Sequence, residues 1–144
     1  MSDGITVFTP SRGCRPETIG GVWSPVISVP ARGRFIFVSG LTSRADDCSV
    51  AHIGDITGQT QQVCENLKAH LEAAGATLED VVKLVVYIRD VNDFDAIHAV
   101  RKKFWPGRSP VSTMVQISSL VDSRSLIEIE ATAWVDDEGP QESS

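Results

Sequence analysis

The sequence predicts an α+β fold in which two helices cover one face of a β-sheet. Segments whose apolar and polar residues alternate predict strands, because successive strand side chains point to opposite faces. Two longer segments repeat their apolar residues at steps of three and four, which predicts amphipathic helices. The order along the chain is strands, helix, strand, helix and two strands.

The first part of the chain contains short strand candidates. ITVF at 5–8 is a candidate edge strand. VWSPVISV at 22–29 and RFIFVSG at 34–40 are two further strands, and the turn-forming sequence PARG separates them.

The first helix is predicted over 57–75. Asp55 is placed to cap its start, and Gly75 can adopt the left-handed conformation that ends a helix. Cys64 lies one position from the apolar stripe, so we expect it to fill the core rather than act as a nucleophile. The stripe consists of Ile56, Thr60, Val63, Leu67, Leu71 and Ala74.

A central strand is predicted over 81–90, because this segment is rich in β-branched residues. A second helix follows over 92–106, with Asn92 as its cap and Pro106 preventing its continuation. The apolar face of the strand consists of Val82, Leu84, Val86 and Ile88. The inward residues of the helix are predicted to be Phe94, Ile97, Val100 and Phe104.

Two strands close the chain, at 111–117 and 126–135. The apolar face of the last strand consists of Ile127, Ile129, Ala131, Ala133 and Val135. The opposite sheet face is predicted to carry Tyr87, Met114 and Trp134 among polar groups, which indicates a subunit interface.

In the strand at 111–117, Ser112, Met114 and Gln116 form a face without charge, which we interpret as the lining of a cleft. The neutral character of this face limits the chemistry that it can support.

Composition sets limits on function. The chain has 144 residues and is predicted to form one domain over 1–135, with 136–144 as a disordered acidic tail. The net charge of −6 argues against a nucleic-acid partner. No segment approaches the roughly 20 apolar residues that cross a bilayer, so no membrane partner is expected. Three cysteines without paired spacing, and no secretory signal, favour the cytoplasm.

Few residues are marked for catalysis by pattern alone. Glu128 and Glu130 share one strand face, and a carboxylate at a subunit cleft is suited to general acid–base work. Pattern does not choose between them, and strand carboxylates usually face solvent. Metal-binding HExxH spacing, the GxSxG nucleophile turn and glycine-rich phosphate loops are all missing from the sequence. His70 and His98 lie on the predicted helices and are expected to be solvated or structural, whereas His52, in the loop before the first helix, carries a weak signal for a catalytic role.

Several motifs together resemble the Rid family, the reactive intermediate deaminases that are also called YjgF-like proteins. They are FVSG at 37–40, QTQQVCENLKAHLEAAG at 59–75, DVVKLVVYIRDVNDF at 80–94, SPVSTMVQI at 109–117 and LIEIEATA at 126–133. The resemblance implies a chorismate-mutase-like fold with a mixed sheet, assembled as a homotrimer with active sites between subunits. It also implies cofactor-independent and metal-independent hydrolysis of small enamines or imines to a ketoacid and ammonia.

The resemblance also assigns residues. Trp23 stands where the family has a pocket tyrosine, and Ser39 and Gly40 match its serine-glycine turn. Glu128 matches the glutamate that positions water, which separates it from Glu130. Ser112 stands where the family deaminases carry the arginine that grips the substrate carboxylate.

A serine hydroxyl supplies neither the charge nor the planar fork of a guanidinium. Arg108, four residues upstream, is the nearest candidate to replace it, and Arg44 and Arg124 are the next candidates. Backbone N–H groups from Ser112 through Thr113 to Met114, together with that of Gly40, are candidates to stabilise a developing oxyanion.

We therefore expect an enamine or imine hydrolase, or a pathway-specific variant that catalyses tautomerisation or cyclisation. A non-catalytic trimer that binds a small molecule or a protein is the alternative. RNA cleavage is a weaker alternative, because the chain has no basic stripe.

Overall fold

The structure is a computed structural model that describes residues 4–19 and 21–137. The expected order of elements is confirmed. The strands are β1 (Thr6–Phe8), β2 (Val26–Ser28), β3 (Arg34–Leu41), β4 (Val81–Ile88), β5 (Val111–Gln116) and β6 (Ile127–Val135). The helices are α1 (Ile56–Ala73) and α2 (Phe94–Phe104), and short 3₁₀ turns occur at Pro16–Ile19, Leu78–Asp80 and Val91–Asp93.

The main sheet has four strands in the order β3-β6-β4-β5. β6 pairs antiparallel with both β3 and β4, whereas β4 and β5 are parallel and are joined through α2. The sheet is therefore mixed, as the resemblance implied. β1 and β2 form a separate two-stranded antiparallel sheet, so only a short part of the strand predicted at 22–29 is extended and paired.

Both helices pack on one face of the main sheet. Most residues of their apolar stripes meet the faces of β4 and β6 that the sequence predicted to be buried, and residues such as Leu67, Leu84 and Ile127 have no exposed surface. The prediction was wrong for Phe94, which is 40% exposed, and for Val82, because a register shift of β4 places Val81 in the core instead. Cys64 lies inside this core, as expected. The helix-covered face is thus a continuous hydrophobic core, the usual way in which an α+β sheet excludes water from one side.

The ends of α1 follow the predicted chemistry. The Asp55 carboxylate accepts a hydrogen bond of 3.0 Å from the backbone N–H of Gly58, and Gly75 has a φ of +78°. The prediction for α2 was wrong at its start. The helix begins at Phe94, and Asn92 does not cap it, because the Asn92 N–H donates to Asp90 in the preceding 3₁₀ turn.

The opposite face of the sheet, called here the open face, is not covered by helices. It carries the side chains of Phe35 and Phe37, which are 52% and 78% exposed. Two residues predicted for this face do not contribute accessible surface to it. Met114 lies on the helix side and packs against the core, and Trp134 is fully buried, with its indole N–H donating to the Arg32 carbonyl.

The end of the predicted domain is fixed by an ion pair. Asp136, the first residue of the predicted acidic tail, is buried and accepts two hydrogen bonds from the Arg32 guanidinium, at 2.9 and 2.8 Å. Asp137 is exposed, and the part of that tail from 138 to 144 lies outside the described residues. Among the described residues, no helix is both long enough and apolar enough to cross a membrane.

Candidate functional site

Glu128 lies on the open face of β6, opposite Tyr87 in the register with β4. On its other side, β3 contains a bulge, because the regular pairing is interrupted between Val38 and Leu41. The bulge contains Ser39 and Gly40 and brings the Gly40 backbone against the Glu128 carboxylate. A Cβ atom at position 40 would overlap the carboxylate oxygen where it now lies, so the glycine leaves room for this position of the Glu128 side chain.

A cavity of about 290 Å³ lies beside Glu128. It is lined by the two carboxylates, by Tyr87 and by the loop that follows β5; the loop residues are Ile117, Ser119, Leu120 and Val121. Tyr87 donates a 2.7 Å hydrogen bond to Glu130, and this bond raises the pKa of Tyr87. Within the described residues the Glu128 carboxylate accepts no such bond. The structure therefore separates the two carboxylates that the strand pattern left equivalent.

A second group of predicted site residues surrounds the start of β5. Two hydrogen bonds hold the segment at 21–25 against the start of β5. The Ser24 N–H donates to the Pro110 carbonyl at 2.9 Å, and the Ser24 hydroxyl donates to the Ser109 carbonyl. Trp23, on this segment, is half-buried. It lines a cavity of about 420 Å³ together with Arg15 and Arg108.

The side chain of Arg108 is anchored to the backbone of a neighbouring segment. Its guanidinium donates to the backbone carbonyl of Glu79, and partial burial lowers the pKa of Arg108. Its expected role as a substitute for the family arginine remains a prediction.

Ser112 does not face the open side of the sheet. It pairs in register with Leu84, whose side chain is fully buried under the helices, and Met114 pairs in the same way with Val86. The interpretation of this face as a cleft lining was therefore wrong for the Met114 side chain. The more apolar face of β5, with Thr113 and Val115, is the one left exposed.

Ser112 meets a different arginine, one that the sequence reasoning missed. Arg101 of α2 is 2% exposed, and its Nη2 donates to Ser112 Oγ at 2.9 Å and to the Val22 carbonyl at 3.2 Å. The available signal was the helical spacing, because Arg101 lies four residues after Ile97 on the buried stripe of α2.

A sequence model of the family described as Endoribonuclease L-PSP matches residues 15–135. A RutC family protein of Pyrococcus abyssi is 41% identical over 119 residues, covering 83% of this chain and 90% of the relative. A Rid family protein from Yersinia pestis has a solved structure with a TM-score of 0.82 and 30% identity, covering 92% of this chain and 99% of that one.

The chain belongs to the Rid family.

Other members of this family extend the comparison. The 3-aminoacrylate deaminase RutC of Acinetobacter baylyi is 32% identical over 120 residues, covering 83% of this chain and 94% of the relative. The structure of RidA from a Psychrobacter species is similar with a TM-score of 0.67 and 29% identity, covering 80% of this chain and 89% of that one.

The predicted Rid site residues thus form two groups within one chain. Ser39, Gly40 and Glu128 lie together at the bulge of β3, whereas Trp23 and Arg108 line the other cavity. The described residues contain no cluster of three or more side chains suited to hold a metal ion.

Proposed function

We propose that this Rid family protein hydrolyses a small enamine or imine that carries a carboxylate, releasing ammonia and a carbonyl product. The observation that carries the proposal is the Glu128 carboxylate, which borders a cavity and has no partner among the described residues. The name of the 3-aminoacrylate deaminase relative supports the substrate class.

In this mechanism the enamine first takes a proton from solvent on carbon and becomes an iminium ion. Glu128 orients a water molecule and removes a proton from it as the oxygen bonds to the iminium carbon, which gives a carbinolamine. Glu128 then returns that proton to the nitrogen, the C–N bond breaks to release ammonia, and the hydroxyl proton returns to solvent as the carbonyl forms. One water is consumed for each ammonia and carbonyl product, and the residues need no cofactor for this chemistry.

The substrate in this proposal sits between two subunits of a homotrimer. Two facts support it. The Glu128 group and the Trp23 group lie in separate cavities of one chain, so one pocket that uses both draws on two copies. Phe35 and Phe37 expose apolar surface on the open face, and exposed apolar surface of this kind is often buried in a subunit interface. Trp23 then stacks on a planar substrate.

The test compares Glu128→Gln with Glu130→Gln, using 3-aminoacrylate generated in situ and measuring ammonia release. The two variants make the same chemical change two residues apart on one strand face. We expect Glu128→Gln to lower kcat/KM by about 100-fold or more, because general acid–base catalysis contributes that much. We expect Glu130→Gln to change it only a few-fold. Equal losses, or none in Glu128→Gln, would contradict the mechanism.

A non-catalytic binding trimer is the second candidate. Ser112 favours it, because the chain lacks the arginine that family deaminases carry at this position. Persistent binding of a small carboxylate with no ammonia released over long incubation would support this reading. The net charge of −6 gives no support to RNA as the ligand.

A further inference from the structure

Arg101 is a cation buried without a counter-ion among the described residues. It is 2% exposed, and none of the carboxylates described in the structure forms an ion pair with it. The one titratable group that acts on its charge is the Cys64 thiol, whose pKa burial raises to about 12, so the thiol is neutral at pH 7. Burial also lowers the pKa of the Arg101 guanidinium to about 10, which still leaves it charged.

The hydrogen bonds of Arg101 do not satisfy it fully. Its Nη2 has two acceptors, Val22 and Ser112, but its Nε–H has no partner within the described parts of the chain. A buried charge that is neither paired nor fully hydrogen-bonded is costly, and a catalytic role or a bound ion is among the reasons for which proteins retain one.

The bond between Arg101 and Ser112 fixes the direction of the serine hydroxyl. Ser112 Oγ accepts from the guanidinium, so its own hydrogen points away from Arg101. No described group accepts that hydrogen. Ser112 is half-buried at the start of β5, an edge strand. Ser109, three residues earlier, lines the larger cavity, and Ser112 lies beyond that lining.

We propose that Arg101 and Ser112 together bind the carboxylate of the substrate, with Ser112 donating the hydrogen bond and Arg101 supplying the positive charge behind it. This inference rests on the proposed function for its ligand class. Family deaminases carry the positive charge on the strand that corresponds to β5, whereas here the charge belongs to Arg101 on α2. The hydrogen bond from Arg101 polarises the Ser112 hydroxyl, which then donates its own hydrogen to the ligand. Ser112 is the binding residue, and Arg101 is a positioning residue that acts through it.

This arrangement differs from a direct arginine contact in a measurable way. A guanidinium grips a carboxylate through two parallel bonds, whereas Ser112 offers one. We therefore expect the site to prefer a carboxylate over a neutral isostere. This preference should require both Arg101 and Ser112, and it should be lost when either residue is replaced.

The experiment measures the dissociation constants of crotonate and of crotonamide by titration calorimetry on the full chain. These probes have the same shape and differ by one charge. We expect the unmodified protein to bind crotonate at least tenfold more tightly, since a hydrogen bond to a charged group contributes about that factor. Ser112→Ala and Arg101→Met are each expected to reduce the preference to less than about twofold. Ser112→Thr, which keeps the hydroxyl, should restore it.

Lys102→Met is the matched control, because Lys102 is the exposed neighbour of Arg101 on α2 and its loss removes the same charge. It should leave the preference unchanged. Met is chosen because replacing a buried charge by an apolar side chain of similar volume often preserves stability. If Arg101→Met does not fold, the pair of Ser112→Ala and Ser112→Thr decides the question alone.

Equal or undetectable binding of both probes by the unmodified protein overturns the proposal. So does a preference that survives in Ser112→Ala, or one that is lost in Arg108→Met but kept in Arg101→Met. The failure of deamination is a separate result. A charge preference that depends on Ser112, found without ammonia release, would reject the deaminase but retain this site. Ammonia release with an unchanged KM in Ser112→Ala would do the reverse.

Discussion

The two faces of the four-stranded sheet differ in how completely one chain covers them. On the helix-covered face, Leu84 and Val86 of the central strand are fully buried. On the open face, Phe37 of β3 is 78% exposed. Both faces carry apolar residues, but only the open face mixes them with charged residues, and no helix covers it. One face is covered within a single chain, and the other leaves large apolar side chains exposed.

The charges on the two faces differ in the same sense. The helix-covered side holds a buried cation, Arg101, and the open side holds the carboxylates of Glu128 and Glu130. The buried cation and the two carboxylates thus lie on opposite sides of one sheet. The comparison makes four predictions, which follow in order of decreasing effect.

The largest contrast concerns the cysteines. Cys64 is buried in the core under the helices, whereas Cys14 and Cys48 are exposed. We expect two thiols to react rapidly with an aromatic disulfide reagent at pH 8. The third should react at least about 1000-fold more slowly, because it must wait for the core to open. Three equally fast thiols would show that the helix-covered face is not closed.

Leu67→Ala tests the core of the same face. Leu67 has no exposed surface, and its truncation is expected to lower the free energy of unfolding by about 2–5 kcal/mol. Lys68→Ala, on the exposed side of the same helix, is the control and should change it by about 0.5 kcal/mol or less. Urea denaturation followed by circular dichroism measures both. A small effect of Leu67→Ala would mean that the core is loosely packed.

Phe37→Asp tests the open face. A carboxylate in the middle of an apolar interface loses its hydration, so the substitution should convert an oligomer to single folded chains. Val91→Asp is the control, since Val91 is 57% exposed but lies in the turn before α2. Sedimentation velocity gives the molecular mass of each variant. An unmodified protein that sediments as a single chain would reject the assembly proposed here.

Tyr87→Phe is expected to have the smallest effect. It removes the exposed hydrogen bond from Tyr87 to Glu130 and leaves the neighbouring Glu128 untouched. The urea midpoint should stay unchanged, and ammonia release should fall less than tenfold. A loss as large as that of Glu128→Gln would mean that Glu130 and Tyr87 belong to the reacting group.

The periodicity of the sequence predicted both helices and most of the core, because burial under the helices selects apolar residues at fixed intervals. It placed Leu84 and Leu67 correctly for this reason. It failed on β5, where the exposed Val115 is more apolar than the core-facing Ser112. Each face of β5 carries both apolar and polar residues. The alternation therefore predicts a strand but does not predict which of its faces is buried.

The candidate site was predictable only in part, and for a different reason. Glu128 and Gly40 were assigned by resemblance, and the structure brings them into contact through a bulge that no periodic pattern signals. The meeting of Arg101 with Ser112 depends on how α2 crosses β5, which is a property of packing between distant segments. The polar spacing of a single helix does not contain that information.

The strand order has a consequence for synthesis. β6 lies between β3 and β4, although it is the last strand of the chain to be made. Until it emerges from the ribosome, β3 has no neighbour in the main sheet and β4 has one unpaired edge. Arg34 must wait for Val135, about a hundred residues later, before the two can pair. The nascent domain therefore exposes unpaired strand edges for most of its translation. A ribosome stalled before residue 127 would carry a chain that is prone to aggregate through these edges.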